Sequence, residues 1–350
     1  MHNKQILVVS DGFPGHYKKT NAVAQIIRKR FPADVTWMNV TLKIGFYRTL
    51  LRFYLNRTRR PANPDWLRLF YNIPDPFPQT PPDLIISSGG KTCFLSAWLA
   101  AYYQCPNIFV GQTRRVEQRY FTRIVAAEVD YRDDGKHIQS LPATDVDGEV
   151  VSDAAIEFLE QTGLPLRPRW TLVLGGDGAG YSYTRTDWEQ LGRTVINLAH
   201  QHDIRWLVTT SRRTSPFAEE LFSSDQMRSV ADDVLVWNHD RRPLYNAYLG
   251  CADVIVCTED SGKMLTEAVA AEKPVLCVRP TPASLSPSRH LSAVIRRFEA
   301  AGYLHRVTID ELGRQSFNDF FKQYQPPPEP LMKRVREEVD EFASTLAWAA

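Results

Sequence analysis

The sequence lacks any uninterrupted apolar run that could span a membrane, which needs about 20 residues. The short run Ile6–Val9 is followed at once by Asp11 and Gly12, which does not fit a signal peptide. Excess charge is also missing, because 42 basic and 40 acidic residues leave a net charge of +2. A balance this even gives no reason to expect a nucleic-acid partner. We therefore expect a cytoplasmic protein.

Metal and cofactor motifs are scarce as well. The five cysteines contain no C-x-x-C pair, which favours reduced, buried thiols over disulfides or a zinc site. Neither the dinucleotide pattern G-x-G-x-x-G nor a P-loop occurs. Asp145 and Asp147 form a D-x-D beside Gly148, which favours a surface turn over a metal site. We therefore expect no metal and no cofactor.

The sequence does contain a regular alternation of short apolar runs and helix-like stretches, which is typical of parallel α/β sheets. A length of 350 residues favours two domains. A stretch rich in Pro, Gly and Asp separates two series of such elements. We predict an N-terminal domain over 1–142, a linker over 143–168 and a C-terminal domain over 169–330. A final helix, 331–350, could fold back across the domains.

Glycines follow three of the predicted strands. They are Gly12 and Gly15, Gly89 and Gly90, and the run Gly175, Gly176 and Gly178. Glycine lets the backbone turn sharply and lets a phosphate approach peptide N–H groups, which the following helix supplements with its positive end. Tight turns without a ligand are the alternative. Three such junctions favour a ligand in a cleft at the carboxyl ends of the strands.

The segment from Cys251-Ala-Asp-Val-Ile-Val-Cys-Thr-Glu-Asp-Ser to Gly262, with Glu267 and Lys273-Pro-Val275 after it, resembles the donor site of GT-B glycosyltransferases. The similarity is greatest to the lipid-linked N-acetylglucosaminyltransferase of peptidoglycan synthesis. Gly175-Gly-Asp-Gly-Ala179 resembles the diphosphate loop of that enzyme. Gly12-Phe-Pro-Gly15-His16 and Ser88-Gly-Gly90 resemble its N-terminal and acceptor-side glycine loops.

The whole chain is still more similar to the family named for the plant elongated-mitochondria fission factor. Ser10-Asp-Gly-Phe-Pro-Gly-His16, the Gly175 loop and Thr210-Ser-Arg-Arg-Thr214 carry this similarity. The two resemblances imply an α/β fold of GT-B type, in which two Rossmann-like domains face each other across a cleft. They also imply a nucleotide-sugar donor in the second domain and no obligate metal.

The resemblance assigns donor binding to Gly175, Gly176, Asp177, Gly178, Ser211, Arg212, Arg213, Glu259, Ser261, Gly262 and Glu267. Glu267 would accept hydrogen bonds from the ribose, or it could be a solvent-facing helix residue. Glu259 forms an E-x7-E pair with it, as in retaining GT-B enzymes, and could equally cap a turn or form a salt bridge. Ser261 would contact phosphate, with an N-cap as the alternative. The two arginines suit a diphosphate leaving group, or they could simply be solvated.

Two residues beside the first glycine turn are candidates for catalysis. His16 could act as general base toward an acceptor hydroxyl, because histidine titrates near neutral pH. It could instead contact the donor phosphate or cap the turn. Asp11 is a second candidate base, and turn capping is its alternative role. Gly12, Gly15, Gly89 and Gly90 would form the acceptor-side loops.

Residues 41–60 carry six cations and no acid, interleaved with aromatic and leucine side chains. The residues proposed for a membrane patch are Lys43, Phe46, Arg48, Arg52, Phe53 and Arg57. This composition suits an amphipathic helix on anionic lipid, whereas an ordinary helix packed on its domain is the alternative.

Three functions fit these features. The first is sugar transfer from a nucleotide sugar to a membrane-associated or cell-envelope acceptor. The second is a GT-B sugar-nucleotide epimerase or hydrolase, and the third is non-catalytic membrane recruitment. The expected partners are a nucleotide sugar and an anionic membrane surface or lipid-linked acceptor, with no nucleic acid. The expected location is cytoplasmic, peripheral on the inner face of the membrane.

Overall fold

The computed structural model describes residues 3–126, 137–139, 144–280, 288–314, 324 and 329–346. The chain divides into an N-terminal unit, made of 1–145 and 332–350, and a C-terminal unit, made of 146–331. Within the described ranges, no helix is both long and apolar enough to cross a membrane. The last four residues of the predicted final helix lie outside those ranges.

The N-terminal unit is built on a parallel sheet of six strands. Its elements are β1 (Lys4–Ser10), α1 (Pro14–Arg30), β2 (Ala33–Asn39), β3 (Thr41–Leu42), α2 (Tyr47–Arg57), α3 (Leu67–Phe70), β4 (Tyr71–Asn72), β5 (Leu84–Ser88), α4 (Cys93–Tyr103), β6 (Asn107–Val110), β7 (Arg123–Ala126) and β8 (His137–Gln139). The strand order is β2-β1-β5-β6-β7-β8, and β3 and β4 form a separate antiparallel pair.

The central strands of this sheet are largely apolar and buried. Ile6–Val9 in β1 and all of β5 are buried, as expected for parallel strands covered on both faces. Helix α4 is also buried over most of its length, so it belongs to the core. Both six-stranded sheets consist of parallel strands, which confirms the predicted α/β class.

The C-terminal unit contains a second six-stranded parallel sheet. Its elements are α5 (Gly148–Thr162), β9 (Arg169–Val173), α6 (Arg185–His202), β10 (Arg205–Thr209), α7 (Pro216–Phe222), α8 (Asp225–Arg228), β11 (Ala231–Leu235), α9 (Tyr245–Cys251), β12 (Val254–Thr258), α10 (Gly262–Ala270), β13 (Val275–Arg279), α11 (Arg289–Ala300), β14 (His305–Thr308) and α12 (Ile309–Arg314). A last helix, α13 (Leu331–Thr345), follows. All of it except Leu331 belongs to the N-terminal unit. There the guanidinium carbon of Arg123 lies 4.7 Å from the centre of the Phe342 ring.

The order of the second sheet is β11-β10-β9-β12-β13-β14, so the chain runs outward in one direction and then reverses. The reversal lies between β9 and β12, and the matching reversal in the first sheet lies between β1 and β5. Open α/β sheets bind ligands outside the carboxyl ends of the strands at such a switch point. The loops after β1, β5, β9 and β12 are therefore where a site is expected.

Helix α5 occupies most of the stretch predicted as a linker. Asp147 caps it by accepting a hydrogen bond from the Val150 amide at 2.9 Å, and Gly163 ends it with a φ of 64°. The helix packs against α9, where a Cβ on Gly250 would overlap the carbonyl oxygen of Val151. The second aspartate of the D-x-D thus serves as a helix N-cap.

Candidate active site

The glycine loop after β9 lies at the switch point of the C-terminal unit. Gly175 and Gly176 are buried, and the chain then turns through Gly178, Ala179 and Gly180, all with positive φ. A Cβ at Gly176 would overlap the carbonyl oxygen of Arg213, so only glycine fits there. The loop is therefore shaped by close backbone contact with the segment that follows β10.

A buried carboxylate fills the space beside this loop. Asp260, two residues after β12, accepts hydrogen bonds on Oδ2 from the Gly176 amide at 3.1 Å and from Arg213 Nη2 at 2.5 Å. The Gly175 amide donates to Thr258 Oγ1 at 2.7 Å. The amides of Gly175 and Gly176 are thus both bonded to side chains at the end of β12.

Asp260 is only 1% exposed, and its ionisation is perturbed accordingly. Burial raises the pKa of Asp260 from its ordinary value of 3.8 to about 6, against the opposing effect of the Arg213 charge. The Arg213 side chain is 28% exposed, so one of the two partners still contacts solvent. A buried acid held by an amide and an arginine is the internal equivalent of a bound anion.

The turn after β10 clamps the glycine loop from the other side. Ser211 Oγ and Thr214 Oγ1 donate to the Gly175 carbonyl oxygen at 3.2 and 2.5 Å. Arg213 also reaches the Asp177 carbonyl oxygen at 3.4 Å, whereas Arg212 is exposed. Of the two arginines proposed from the sequence, the structure brings Arg213 to the loop.

The two glutamates of the E-x7-E pair do not share a helix face, because α10 begins at Gly262 and Glu259 lies before it. Glu259 is buried and accepts hydrogen bonds from Tyr181 Oη at 2.5 Å and Arg306 Nη2 at 2.8 Å, which makes it a salt-bridge residue. Glu267 is 3% exposed within α10, with Lys263 Nζ 3.6 Å from its Oε1. Its role toward a ribose stays a prediction.

The remaining donor candidates occupy the ends of neighbouring elements. Ser261 caps α10 by accepting from the Met264 amide at 3.4 Å. Asp177 is exposed, and its carboxylate accepts from the Tyr183 amide at 2.9 Å. Within the part of the chain that the structure describes, no three His, Cys, Asp or Glu side chains are grouped to hold a metal ion.

The N-terminal unit has its own polar cluster at the switch point between β1 and β5. Nδ1 of His16, in the first turn of α1, lies 3.0 Å from both carboxylate oxygens of Asp11. Burial acts to raise the pKa of Asp11, but the hydrogen bond and charge of His16 outweigh it and leave that pKa below its ordinary value. An aspartate on Nδ1 favours the tautomer that leaves Nε2 free to accept a proton.

The Gly89–Gly90 pair after β5 touches this cluster. A Cβ on Gly89 would lie 2.5 Å from Nδ1 of His16, and one on Gly90 would overlap Nε of Arg114. The structure therefore brings Asp11, His16, Gly89 and Gly90 together, and their role toward an acceptor stays a prediction. It adds Arg114, which follows β6.

Helix α2 carries the proposed membrane patch. Leu51 and Leu55 are buried, whereas Phe46 and Phe53 are 63% and 58% exposed. The guanidinium carbon of Arg57 lies 4.2 Å from the centre of the Phe53 ring. Lys43 and Arg48 are exposed, and Arg52 is half-buried. The helix therefore packs on its domain through the two leucines and leaves both phenylalanines largely exposed, and its role at a membrane stays a prediction.

Sequence reasoning missed three residues of these clusters: Thr258, Asp260 and Arg114. Asp260 could have been noticed, because it is an acid within two residues of a buried strand that ends at a switch point beside a glycine loop. Arg114 lies in a polar loop without a motif, and its approach to Gly90 depends on the tertiary fold.

Comparison with known proteins agrees with this architecture. The sequence matches the family model described as mitochondrial fission ELM1 over residues 14–335. The chain belongs to this family. The match confirms the family expected from Ser10–His16 and Thr210–Thr214. We find no match to this ELM1-family sequence among curated proteins.

Solved structures show the fold of the ELM1-family chain. Acinetobacter baumannii MurG is 13% identical, with a TM-score of 0.52 over 98% of this chain and 99% of that chain. UDP-GlcNAc 2-epimerase from Methanocaldococcus jannaschii is 9% identical, with a TM-score of 0.56 over 98% and 100%. The Neisseria meningitidis UDP-GlcNAc 2-epimerase bound to UDP-GlcNAc is 14% identical, with a TM-score of 0.52 over 99% of each chain. The GT-B type of fold with two Rossmann-like domains, predicted from the sequence, is thereby confirmed.

The buried Asp260 predicts a specific pH dependence of stability in this ELM1-family protein. Its folded-state pKa is raised, so its stabilising contribution is complete below pH 3.8 and is lost as pH rises through about 6. Relative to Asp260→Asn, wild type should therefore lose on the order of 1–3 kcal/mol of unfolding free energy between about pH 4 and pH 7. Urea unfolding of both proteins across this range measures the difference, and parallel pH profiles would contradict the prediction.

Proposed function

We propose that this protein is a glycosyltransferase whose nucleotide-sugar donor binds at the switch point of the C-terminal unit. The observation that carries the proposal is the convergence of the Gly176 amide and Arg213 on one buried anion, Asp260. A donor diphosphate presents the same chemistry as that carboxylate and would compete with it for the same two donors. In this proposal the donor diphosphate displaces the Asp260 carboxylate from the Gly176 amide and Arg213.

The residues of each unit suit one half of the reaction. Arg213 would neutralise the charge that grows on the diphosphate leaving group, which requires no metal ion in this proposal. In the N-terminal unit, Asp11 would orient His16, so that Nε2 takes the proton of an acceptor hydroxyl as it attacks the anomeric carbon. The bond from that carbon to the diphosphate oxygen breaks as the new bond to the acceptor oxygen forms.

The exposed face of α2 supports a membrane-associated acceptor. Phe46, Leu50 and Phe53 follow one another at intervals of four and three residues, on the face opposite the buried Leu51 and Leu55. An 11-residue helix with apolar side chains on both faces, and with arginines beside the exposed one, suits docking on anionic lipid. The peripheral location expected from the sequence remains part of this proposal.

Two other functions have support from particular observations. Solved UDP-GlcNAc 2-epimerases share this fold over nearly the whole chain, so acceptor-independent conversion of a nucleotide sugar is a second candidate. The family description, mitochondrial fission ELM1, suggests a third candidate, recruitment to a membrane without catalysis. Incubation with UDP-GlcNAc alone, followed by analysis of the sugar, separates the epimerase from the transferase. Membrane binding without nucleotide binding would favour recruitment.

Nucleotide affinity should depend on Arg213. Calorimetry with UDP in the presence of a chelator should detect binding to wild type. Arg213→Ala should weaken it by about 10- to 100-fold, because a charge-assisted hydrogen bond contributes about 1.5–3 kcal/mol. Arg212→Ala removes the same charge from an exposed neighbour and should change the dissociation constant by about threefold or less.

A third variant sharpens the same experiment. Asp260→Asn removes the competing negative charge and keeps the shape of the side chain, so it should bind UDP more tightly than wild type. Melting curves of all three variants show whether each remains folded. Equal losses in the two arginine variants, or no UDP binding to wild type at millimolar concentration, would remove the basis of the donor site.

Turnover should depend on His16 while nucleotide affinity does not. If Nε2 accepts the acceptor proton, His16→Ala should lower the rate of UDP release from UDP-GlcNAc in the presence of membranes by about 10²–10⁴-fold. Its dissociation constant for UDP should match wild type, because Arg213 and the glycine loop lie in the other unit. His200→Ala, at an exposed position of α6, is the matched control. A large loss of UDP affinity in His16→Ala would assign this residue to donor binding instead.

Vesicle binding should depend on the exposed phenylalanines. Phe46→Ser with Phe53→Ser should reduce co-sedimentation with anionic vesicles and leave the melting temperature nearly unchanged, because both rings are largely exposed. Leu166→Ser, at a side chain that is 92% exposed in the C-terminal unit, controls for general loss of surface hydrophobicity. Vesicle binding by wild type should weaken with salt as the arginine charges are screened. Unchanged binding by the double variant would exclude this face of α2.

A further inference from the structure

A concave pocket of about 580 Å³ lies between α2 and the loop that follows β6, within the N-terminal unit. Four arginines line it, and we call it the arginine pocket: Arg48, Arg52, Arg114 and Arg115. Gly45, Thr49, Phe94, Gln112 and Thr113 complete the wall, so no acidic side chain is among the lining residues. Sequence reasoning placed the first two arginines on a membrane face, and the fold joins them to two arginines some 60 residues later.

The positive charge of this pocket has no counter-charge among the residues that line it. Among the described residues, none of the four guanidinium groups forms an ion pair, and Arg48 Nε instead donates to the Gly45 carbonyl oxygen at 3.1 Å. Arg48 and Arg52 are four residues apart on α2, where like charges repel. Four clustered cations therefore raise the free energy of the unliganded pocket, and a bound anion would relieve that repulsion.

The loop that carries Arg114 and Arg115 is held firmly against α2 and α4. Asn56 of α2 donates to the Arg115 carbonyl oxygen and accepts from the Glu117 amide, both at 3.0 Å. Cys93 Sγ lies 3.0 Å from the Thr113 carbonyl oxygen. The pocket is thus preorganised by hydrogen bonds that tie its two walls together.

Both loop arginines have left-handed backbone, with φ of 55° at Arg114 and 63° at Arg115. This conformation is unfavourable for a residue with a long side chain, and glycine would adopt it without strain. Two consecutive non-glycine residues held in it are a reason to look for a function of their side chains. The two residues of this strained turn, Arg114 and Arg115, are both part of the wall of the arginine pocket.

We propose that the arginine pocket binds a phosphate group, as a phosphomonoester or a diphosphate. Guanidinium groups bind phosphate oxygens with paired N–H donors, and several of them together favour a multiply charged anion over a singly charged one. Because Arg114 lies against Gly90 and His16 lies against Gly89, such a phosphate would bind beside the Asp11–His16 pair. This site is separate from the donor site, and it stands whether or not the C-terminal unit binds a nucleotide.

Calorimetric titration with inorganic pyrophosphate tests the pocket. Arg48→Gln with Arg114→Gln should weaken pyrophosphate binding at least about tenfold, since each loses a charged donor. Arg59→Gln with Arg60→Gln removes the same charge from exposed arginines outside the pocket and should bind like wild type. Arg114→Gly is the folding control, because glycine accepts a φ of 55° while the guanidinium is lost. Arg213→Ala weakens the proposed diphosphate contact of the donor site and should retain pyrophosphate binding at the pocket, which separates the two sites.

Vesicles distinguish lipid-borne from soluble phosphate. Phosphatidylcholine vesicles are prepared with phosphatidic acid or with phosphatidylglycerol at equal surface charge. A lipid ligand predicts that wild type prefers phosphatidic acid and that Arg48→Gln with Arg114→Gln loses the preference. A soluble ligand predicts pyrophosphate binding without preference between the vesicles. If the pocket variant and the Arg59→Gln, Arg60→Gln control weaken every probe equally, the arginines act only as diffuse charge and the proposal is overturned.

Discussion

The contact of Asp260 with the Gly176 amide and Arg213 joins three parts of the C-terminal unit that are far apart in sequence. One is the glycine loop after β9, one is the turn after β10 and one is the end of β12. Each bond is available only because these strands are neighbours in the sheet and end at the same edge. Taking a carboxylate out of water is unfavourable, and the arginine and the amide offset that cost. The shape of the glycine loop after β9 therefore depends on this contact.

The N-terminal unit also places an acid and a pair of glycines at the ends of neighbouring strands, with different residues. There the acid, Asp11, follows the first central strand, and the glycines, Gly89 and Gly90, follow the strand beside it. In the C-terminal unit the glycines come first and the acid comes second. In both units a side chain occupies the space that a Cβ would otherwise fill, so the glycines are required for close approach as well as for turning. In each unit a basic side chain pairs with the acid, His16 with Asp11 and Arg213 with Asp260.

Helix α2 packs against the core on one side and presents two different surfaces on the others. Leu51 and Leu55 anchor it to the core, which leaves Phe46 and Phe53 in solvent and directs Arg48 and Arg52 to the rim of a pocket. Composition alone could not separate these roles, since the same residues would fit a uniformly basic surface helix. The phase of the helix relative to the core assigns each side chain to a surface.

The sequence by itself determined the α/β class and the strand–glycine–helix junctions, because buried parallel strands are mostly apolar and glycine marks tight turns. Its motifs Ser10–His16 and Thr210–Thr214 determined the family. It also identified the Asp11–His16 turn and the arginines after β10 as polar residues at strand ends. Only the tertiary structure decided which of these meet. Glu259 forms a salt bridge with Arg306, which is 47 residues away in the sequence. Asp260, the next residue, instead contacts the glycine loop after β9. Arg114 likewise lines a pocket together with residues of α2. Such partners are distant in sequence, and strand order and register decide that they meet, which local patterns do not encode.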